Sequence, residues 1–180
     1  MKIFLDANIL VSVLNKEYPL FTYSSRILSL HNHKSFQVYT SPICLAIAFY
    51  FSEKKYKTQS AKQKIKLLAD NINIAEATAT SVTKAINNNQ VNDFEDGLEY
   101  YAALESSCQC IVTEDVDDFY FSSIEVLNSH DFFNKYMAQK AWIQSDCPLI
   151  EFFTRFVNNL PPNQTLHEKI FQSDAFSRHL

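Results

Sequence analysis

Lys2-Ile3-Phe4-Leu5-Asp6-Ala7-Asn8-Ile9-Leu10 is the stretch from which the architecture unfolds. Ile3 to Leu5 is an apolar run too short for a helix and right for a buried strand. The run stops at Asp6, and Ile9, Leu10, Val13 and Leu14 then recur at helical spacing. A strand passing through one acid straight into a helix is the opening of an α/β unit. It leaves the acid at the carboxyl end of the strand.

The same alternation continues outward along the chain. Pro19 to His31 reads as a second helix, with Leu20, Ile27, Leu28 and Leu30 on its apolar side, and Phe36 to Tyr39 as the second strand. Ser41-Pro42 is a helix start, with Ser as N-cap and Pro in the first turn, and the helix runs through Ile43, Ile47 and Tyr50. A lysine-rich amphipathic helix spans about Thr58 to Ala69, and Ile72-Asn73-Ile74 is the third strand. Val82 to Asn87 is a short helix and Asn87-Asn88-Asn89 a loop. Asp93 caps a helix through Leu98, Tyr101, Ala102 and Leu104. Ile111-Val112-Thr113 is the fourth strand, ending at Glu114-Asp115, and Ile124 to Leu127 is the fifth. Ser129 is read as the cap of a last helix near Phe132, Phe133 and Met137. Short strands alternating with helices imply an α/β fold in three layers, a mainly parallel five-stranded sheet flanked by helices. In such sheets ligands bind beyond the carboxyl ends of the strands.

The composition bounds the function. The 180 residues are 47% hydrophobic, with 15 Phe and 9 Tyr, which suffices for one substantial core. The net charge of −4 means that any nucleic-acid contact is local rather than spread over the surface. A single Gly excludes both Gly-rich phosphate loops and dinucleotide fingerprints. Phosphate chemistry must then rest on metal and side chains. Cys44, Cys108, Cys110 and Cys147 follow no disulfide or zinc spacing. They read as reduced, buried thiols, with Cys108 and Cys110 on one face of a strand. The N-terminus enters a strand directly rather than a leader, and no apolar stretch reaches the roughly 18 residues of a membrane span. A soluble cytoplasmic protein is expected.

Residues 139–180 form a separate unit. Pro148 opens a helix with Leu149, Ile150, Phe152, Phe153, Phe156 and Val157 on a wide apolar stripe, Pro161-Pro162 ends it, and Thr165 to Glu168 is a capping box. This helical C-terminal extension is expected to bury its stripe on the 1–138 domain or on a partner.

Three acids fall where the fold would gather them. Asp6 ends strand one, Asp96 lies in the first turn of the central helix, and Asp115 follows strand four, with Asp93 and Asp118 at the flanks. Each has an ordinary reading. Asp6 and Asp93 suit helix caps, Asp96 suits the positive end of a helix dipole, and Asp115, Asp117 and Asp118 suit a solvated turn. Together they are harder to dismiss, since two unit charges about 4 Å apart cost about 4 kcal/mol at an effective dielectric of 20. A divalent cation relieves that cost, and oxygen donors favour Mg²⁺ or Mn²⁺.

Three motifs in order carry a family resemblance: Lys2 to Leu10; Val91-Asn92-Asp93-Phe94-Glu95-Asp96-Gly97-Leu98-Glu99-Tyr100-Tyr101-Ala102-Ala103; and Cys110-Ile111-Val112-Thr113-Glu114-Asp115-Val116-Asp117-Asp118-Phe119. Over about residues 1–138 the chain resembles the PIN-domain family and its VapC-like toxin ribonucleases. The resemblance implies a Mg²⁺- or Mn²⁺-dependent endoribonuclease acting on single-stranded or structured RNA. It also implies a small antitoxin partner and a homodimer. Asp6, Asp96 and Asp115 would be the catalytic metal ligands, with Asn8, Thr113, Asp93 and Asp118 as auxiliaries. One departure stands out. Many relatives carry a Glu early in the helix after strand two, and here Ser41 to Ala48 contains no acid; Glu95 or Glu99 would have to compensate. Lys54, Lys55 and Lys57 head the one dense basic run, a candidate RNA grip or simply the wet face of a helix. His31 and His33 read as surface residues. Two alternatives remain: a PIN fold that only binds RNA or protein, and a Mg²⁺-dependent phosphotransfer or phosphatase domain. The latter's templates want a second Asp where Asn8 stands, or a phosphoacceptor Asp near Glu76.

Overall fold

A computed structural model of the chain describes residues 1–138. The expected helix from Pro148, the capping box at Thr165 to Glu168, and Cys147 lie outside the described residues. Five strands form one sheet: β1 (Lys2–Leu5), β2 (Gln37–Thr40), β3 (Asn73–Ile74), β4 (Cys110–Val112) and β5 (Glu125–Leu127). Between them run α1 (Ala7–Asn15), α2 (Phe21–Leu28), α3 (Pro42–Tyr56), α4 (Thr58–Asn71), α5 (Ala79–Asn87), α6 (Phe94–Glu105) and α7 (Ser129–Phe132). The strand order is β3-β2-β1-β4-β5, and every pairing is parallel.

Burial explains the order. Ile3, Phe4 and Leu5 of β1 and Cys110, Ile111 and Val112 of β4 are fully buried, as central strands covered on both faces must be. The two-residue β3 is exposed and lies at an edge. Leu5 pairs with Val112, and the Asp6 N–H continues the ladder to the Val112 carbonyl at 3.1 Å. β1 and β4 are therefore neighbours, and the connections leave in opposite directions from that pair. A crevice opens beyond their carboxyl ends, where Asp6 and Thr113 are the next residues on each chain segment.

Local chemistry accounts for most helix ends. Ser41 accepts the Cys44 N–H at 3.1 Å with Pro42 in the first turn, and Asp93 accepts the Glu95 N–H at 2.9 Å. The last helix is capped differently from the sequence reading. Asn128 is the N-cap and accepts the Asp131 N–H at 2.8 Å, whereas Ser129 is the first helical residue with its hydroxyl buried. The helix expected over Pro19 to His31 is shorter, because after Leu28 the chain tightens into a 3₁₀ turn at Ser29–Asn32. Cys44, Cys108 and Cys110 are buried free thiols, as expected, but Cys108 precedes β4 rather than sharing it. Left-handed Ser107 (φ 58°) turns the chain between α6 and that strand. Among the described residues no helix is long and apolar enough to cross a membrane.

The lysine-rich segment has a structural task. Lys16 ends α1 in the left-handed region, and two ammonium groups supply donors to the carbonyls left open there. Lys64 is buried, donates to the Leu14 carbonyl at 2.7 Å and lies 3.1 Å from the Tyr56 ring centroid. Lys55 donates to the Asn15 carbonyl. Burial, with the charges of Lys16 and Lys55, lowers the Lys64 pKa to about 7.

The one glycine holds α6 in place. A Cβ on Gly97 would sit 2.6 Å from Val91 Cγ1 and 3.1 Å from Ala85 Cβ, so α6 approaches α5 and its following loop more closely than any other residue allows. Gly97→Ala gains about 1 kcal/mol of helix propensity but overpacks a β-branched neighbour at a typical cost of about 1–3 kcal/mol. The expected outcome is a net loss of up to about 2 kcal/mol in urea denaturation, with Val91→Ala recovering part of it in the double variant. A Gly97→Ala chain more stable than the native one would contradict this packing.

Candidate metal centre

Asp6 stands at the N-cap of α1, yet its carboxylate makes no capping bond to the helix. It is 7% exposed and turns into the crevice, accepting the Asn8 Nδ2 amide at 2.7 Å and the Thr113 hydroxyl at 2.5 Å on Oδ2. Asn8 Nδ2 also lies 2.9 Å from Thr113 Oγ1 and 3.1 Å from Asp115 Oδ2. One amide nitrogen thus faces oxygens from the ends of both central strands. Its orientation is set from the other side, where Asn8 Oδ1 accepts the Glu114 N–H at 3.2 Å. Thr113 closes the arrangement by accepting the Asp115 N–H at 3.0 Å, which fixes the turn after β4.

Asp96 enters from the first turn of α6 and is half-buried. Its pKa is pushed up to about 7, first by burial and then by the charges of Asp93, Asp6, Asp118 and Glu95. The sequence-predicted acids therefore share one electrostatic field: Asp6 and Asp115 through Asn8, and Asp96 through Asp6 and Asp118. Asp93 is exposed and spends its side chain on the cap of α6. Asp118 is exposed on the 3₁₀ turn Val116–Phe119.

Glu99 is set deeper than any of these. One turn along α6 from Asp96, it is 1% exposed, and neither of its oxygens has a hydrogen-bond donor. Its carboxyl, one Asp6 oxygen and the Cys44 sulfur all lie within 4.8 Å of one another. Burial raises the Glu99 pKa well above the ordinary value, and the Cys44 and Asp6 groups push the same way. Asp6 is raised as well, because burial outweighs the hydrogen bonds it receives. Without a cation, two buried carboxyls this close retain a proton between them. Glu99 is one of the two acids, with Glu95, that the sequence offered in place of the missing Glu. Its only signal is an acid three residues after Asp96 on a face otherwise made of Leu98, Ala102 and Ala103. Cys44 carried no signal beyond burial.

The candidate RNA lysines are not brought to this cleft. Lys54 lies over the Tyr50 ring at 3.9 Å, Lys55 caps the far end of α1, and exposed Lys57 joins α3 to α4 with φ 69°. Lys54 is ten residues beyond Cys44 on α3, roughly 15 Å along the helix axis. Among the described residues no ion pair involves Asp6, Asp96, Glu99 or Asp115. A crevice of oxygen donors, with buried carboxylates and no protein cation, fits a hard divalent ion.

Comparison with known proteins agrees with this geometry. A family model described as "PIN domain" matches residues 2–117, more than half of the chain. The protein is 27% identical over 135 residues to Ribonuclease VapC1 of Aquifex aeolicus, spanning 73% of this chain and 92% of that protein. VapBC2 from Rickettsia felis, solved bound to a promoter DNA fragment, superposes with a TM-score of 0.56 at 19% identity, covering 71% of this chain and 98% of the other. VapC20 of Mycobacterium tuberculosis, described as a toxin cleaving the sarcin–ricin loop, gives 0.55 at 17%, covering 69% and 98%. At these identities the two structures establish the fold.

The raised carboxyls fix the sign of a pH dependence. Asp96 titrates at about 7 in the folded chain against 3.8 for an unperturbed aspartate, so between those values the folded protein holds more protons. Its contribution to stability is present at low pH and is lost as pH rises towards 7. Asp6, Glu95 and Glu99 are raised too and act in the same direction. Two groups oppose the trend: His31, lowered by burial, just below its ordinary 6.5, and Lys64, lowered to about 7, above that pH; the several acids outweigh the single histidine. Chelator-treated protein is therefore expected to melt at a lower temperature at pH 7 than at pH 5, and added Mg²⁺ or Mn²⁺ to restore more at pH 7. A melting temperature that climbs from pH 5 to 7 without metal would contradict the burial of these acids.

Proposed function

The chain belongs to the PIN-domain family, and from that premise we propose that it is a metal-dependent endoribonuclease, the toxin of a toxin–antitoxin pair. The observation that carries the reading is the meeting of Asp6 and Asp115 at the single Asn8 amide, with Asp96 in the same field and no ion pair to any of them among the described residues. The relative named Ribonuclease VapC1 and the neighbour described as a cleaving toxin support the activity. The VapBC assembly supports a small antitoxin partner. RNA, single-stranded or structured, is the substrate, Mg²⁺ or Mn²⁺ the cofactor, a homodimer the working form, and the cytoplasm the setting. Residues 1–138 are the nuclease domain and 139–180 its extension.

In this reading Asp6, Asp96 and Asp115 hold the ion. When bound, a divalent cation supplies Lewis acidity at a phosphodiester oxygen and a more acidic water. The rest of the work belongs to the side chains. Asn8 fixes Asp6 and Asp115 relative to each other, which is what an ion shared between two strands requires. Thr113 donates to Asp6 and so keeps that oxygen's lone pairs aligned, while its bond to the Asp115 N–H stops the β4 turn from opening. Asp93 caps α6 and so sets the position of Asp96 one turn inside it. The uncompensated carboxylates repel an RNA backbone, so substrate approaches only a charge-neutralised cleft.

The acid-free start of α3 favours a second reading, a PIN fold that binds RNA or protein without cutting. Cleavage of single-stranded RNA in Mg²⁺ separates the two. Asp6→Asn and Asp96→Asn are each expected to abolish cleavage, while their chelator-treated forms melt at or above the native temperature. Asn8→Ala is expected to lower the rate about 10–100-fold. Wild-type cleavage by Asp6→Asn would reduce Asp6 to a helix-entry residue. Complete inactivity of the native chain towards every RNA tried would favour the binding module.

A further inference from the structure

We propose that Asp6, Glu99 and Cys44 form an inner ion pocket, a carboxylate–thiolate site that takes a thiophilic divalent cation such as Zn²⁺ or Co²⁺ in preference to Mg²⁺. The inference rests on the reading of Asp6 as a metal ligand and extends the same cleft inward. Three observations carry it. The ligand atoms of Asp6, Glu99 and Cys44 all lie within 4.8 Å of one another. With metal–oxygen bonds of about 2.1 Å and metal–sulfur bonds of about 2.3 Å, the ligands of one tetrahedral ion lie about 3.4–3.8 Å apart, so the three side chains close on one ion by moving about 1 Å. Glu99 is 1% exposed, and apart from the proton it shares with Asp6 its oxygens meet no hydrogen-bond donor, so once that proton leaves the carboxylate is free to serve as a ligand. Finally, the Ser41 hydroxyl donates to Cys44 Sγ at 3.0 Å, a bond that would steady the thiolate formed when an ion displaces the thiol proton.

Sulfur decides the selectivity. A thiolate is a soft donor, well matched to Zn²⁺ and Co²⁺ and poorly matched to Mg²⁺, which demands oxygen. Ion binding displaces the Cys44 thiol proton and the proton held between Asp6 and Glu99, and both leave to solvent.

Cobalt reports the site without relying on RNA cleavage. Full-length chain, stripped with chelator, is titrated with Co²⁺ under reducing conditions and followed by absorbance. A saturable near-ultraviolet thiolate-to-cobalt band is expected at one ion per chain, competed by Zn²⁺ and not by millimolar Mg²⁺. Cys44→Ser is expected to lose the band, and Glu99→Gln to weaken Co²⁺ binding about tenfold or more with an unchanged circular dichroism spectrum. Absence of the band in the native chain overturns the proposal irrespective of how the variants fold. So does a band that survives Cys44→Ser, which would belong to another cysteine, or Co²⁺ affinity unaltered by Glu99→Gln. A parallel RNA cleavage assay in Mg²⁺ keeps the two readings apart. Cleavage without the band sinks the inner pocket alone, and the band without cleavage sinks the ribonuclease alone.

Discussion

Carboxyl groups crowded at the mouth of the β1–β4 pair, with no ion pair to them among the described residues, are the constraint on which the rest of this structure depends. Like charges at such separations cost several kcal/mol each in a partly buried cleft. The fold accepts that cost only because the surrounding geometry is rigid. β1 and β4 are buried on both faces, and their ladder extends through the Asp6 N–H, so the acids cannot drift apart without breaking the centre of the sheet. Asn8 then ties the two strand ends together through one amide, and Thr113 locks both from below. An arrangement that holds repelling groups together before any ligand arrives is preorganised for a cation, and the reorganisation has been met during folding.

α1 divides the molecule's electrostatics. Its N-terminal end opens at Asp6 and the acidic crevice. Its C-terminal carbonyls are met by Lys55 and by buried Lys64, favourable partners for the negative end of a helix dipole. The same helix therefore has acids at the end where its dipole best tolerates them and lysines at the other. Two lysines of the basic run, Lys55 on α3 and Lys64 on α4, thus fasten those helices onto α1.

The fold and half of the site were legible in the sequence because they depend on local pattern. The Ile3 to Leu5 run, the acid that ends it and the matching end of β4 at Thr113 to Asp115 are read from neighbours in the chain. The adjacency of β1 and β4 that brings them together is a finding of the structure. Asn8 and Thr113 entered through the family resemblance of the motifs that hold them. Cys44 and Glu99 were not legible as a pair, since their meeting depends on how α3 and α6 are rotated against β1, and that rotation is settled by packing. The close approach at Gly97, where Val91 leaves no room for a side chain, is part of that packing. The fastening role of Lys55 and Lys64 was not legible, because a helix rich in Lys looks solvated whichever carbonyls it reaches. Asn128 displaced Ser129 as cap because both are good caps one residue apart, and side-chain reach to the Asp131 N–H decides between them.

The central claim is that acids from three distant stretches share one divalent ion at the carboxyl ends of β1 and β4. Anomalous diffraction from a crystal soaked in Mn²⁺ tests it most directly. The account predicts a peak bonded to carboxylate oxygens of Asp6, Asp96 and Asp115. An empty cleft at saturating Mn²⁺, or a peak held by other residues while these three bond only to one another and to Asn8, would contradict it.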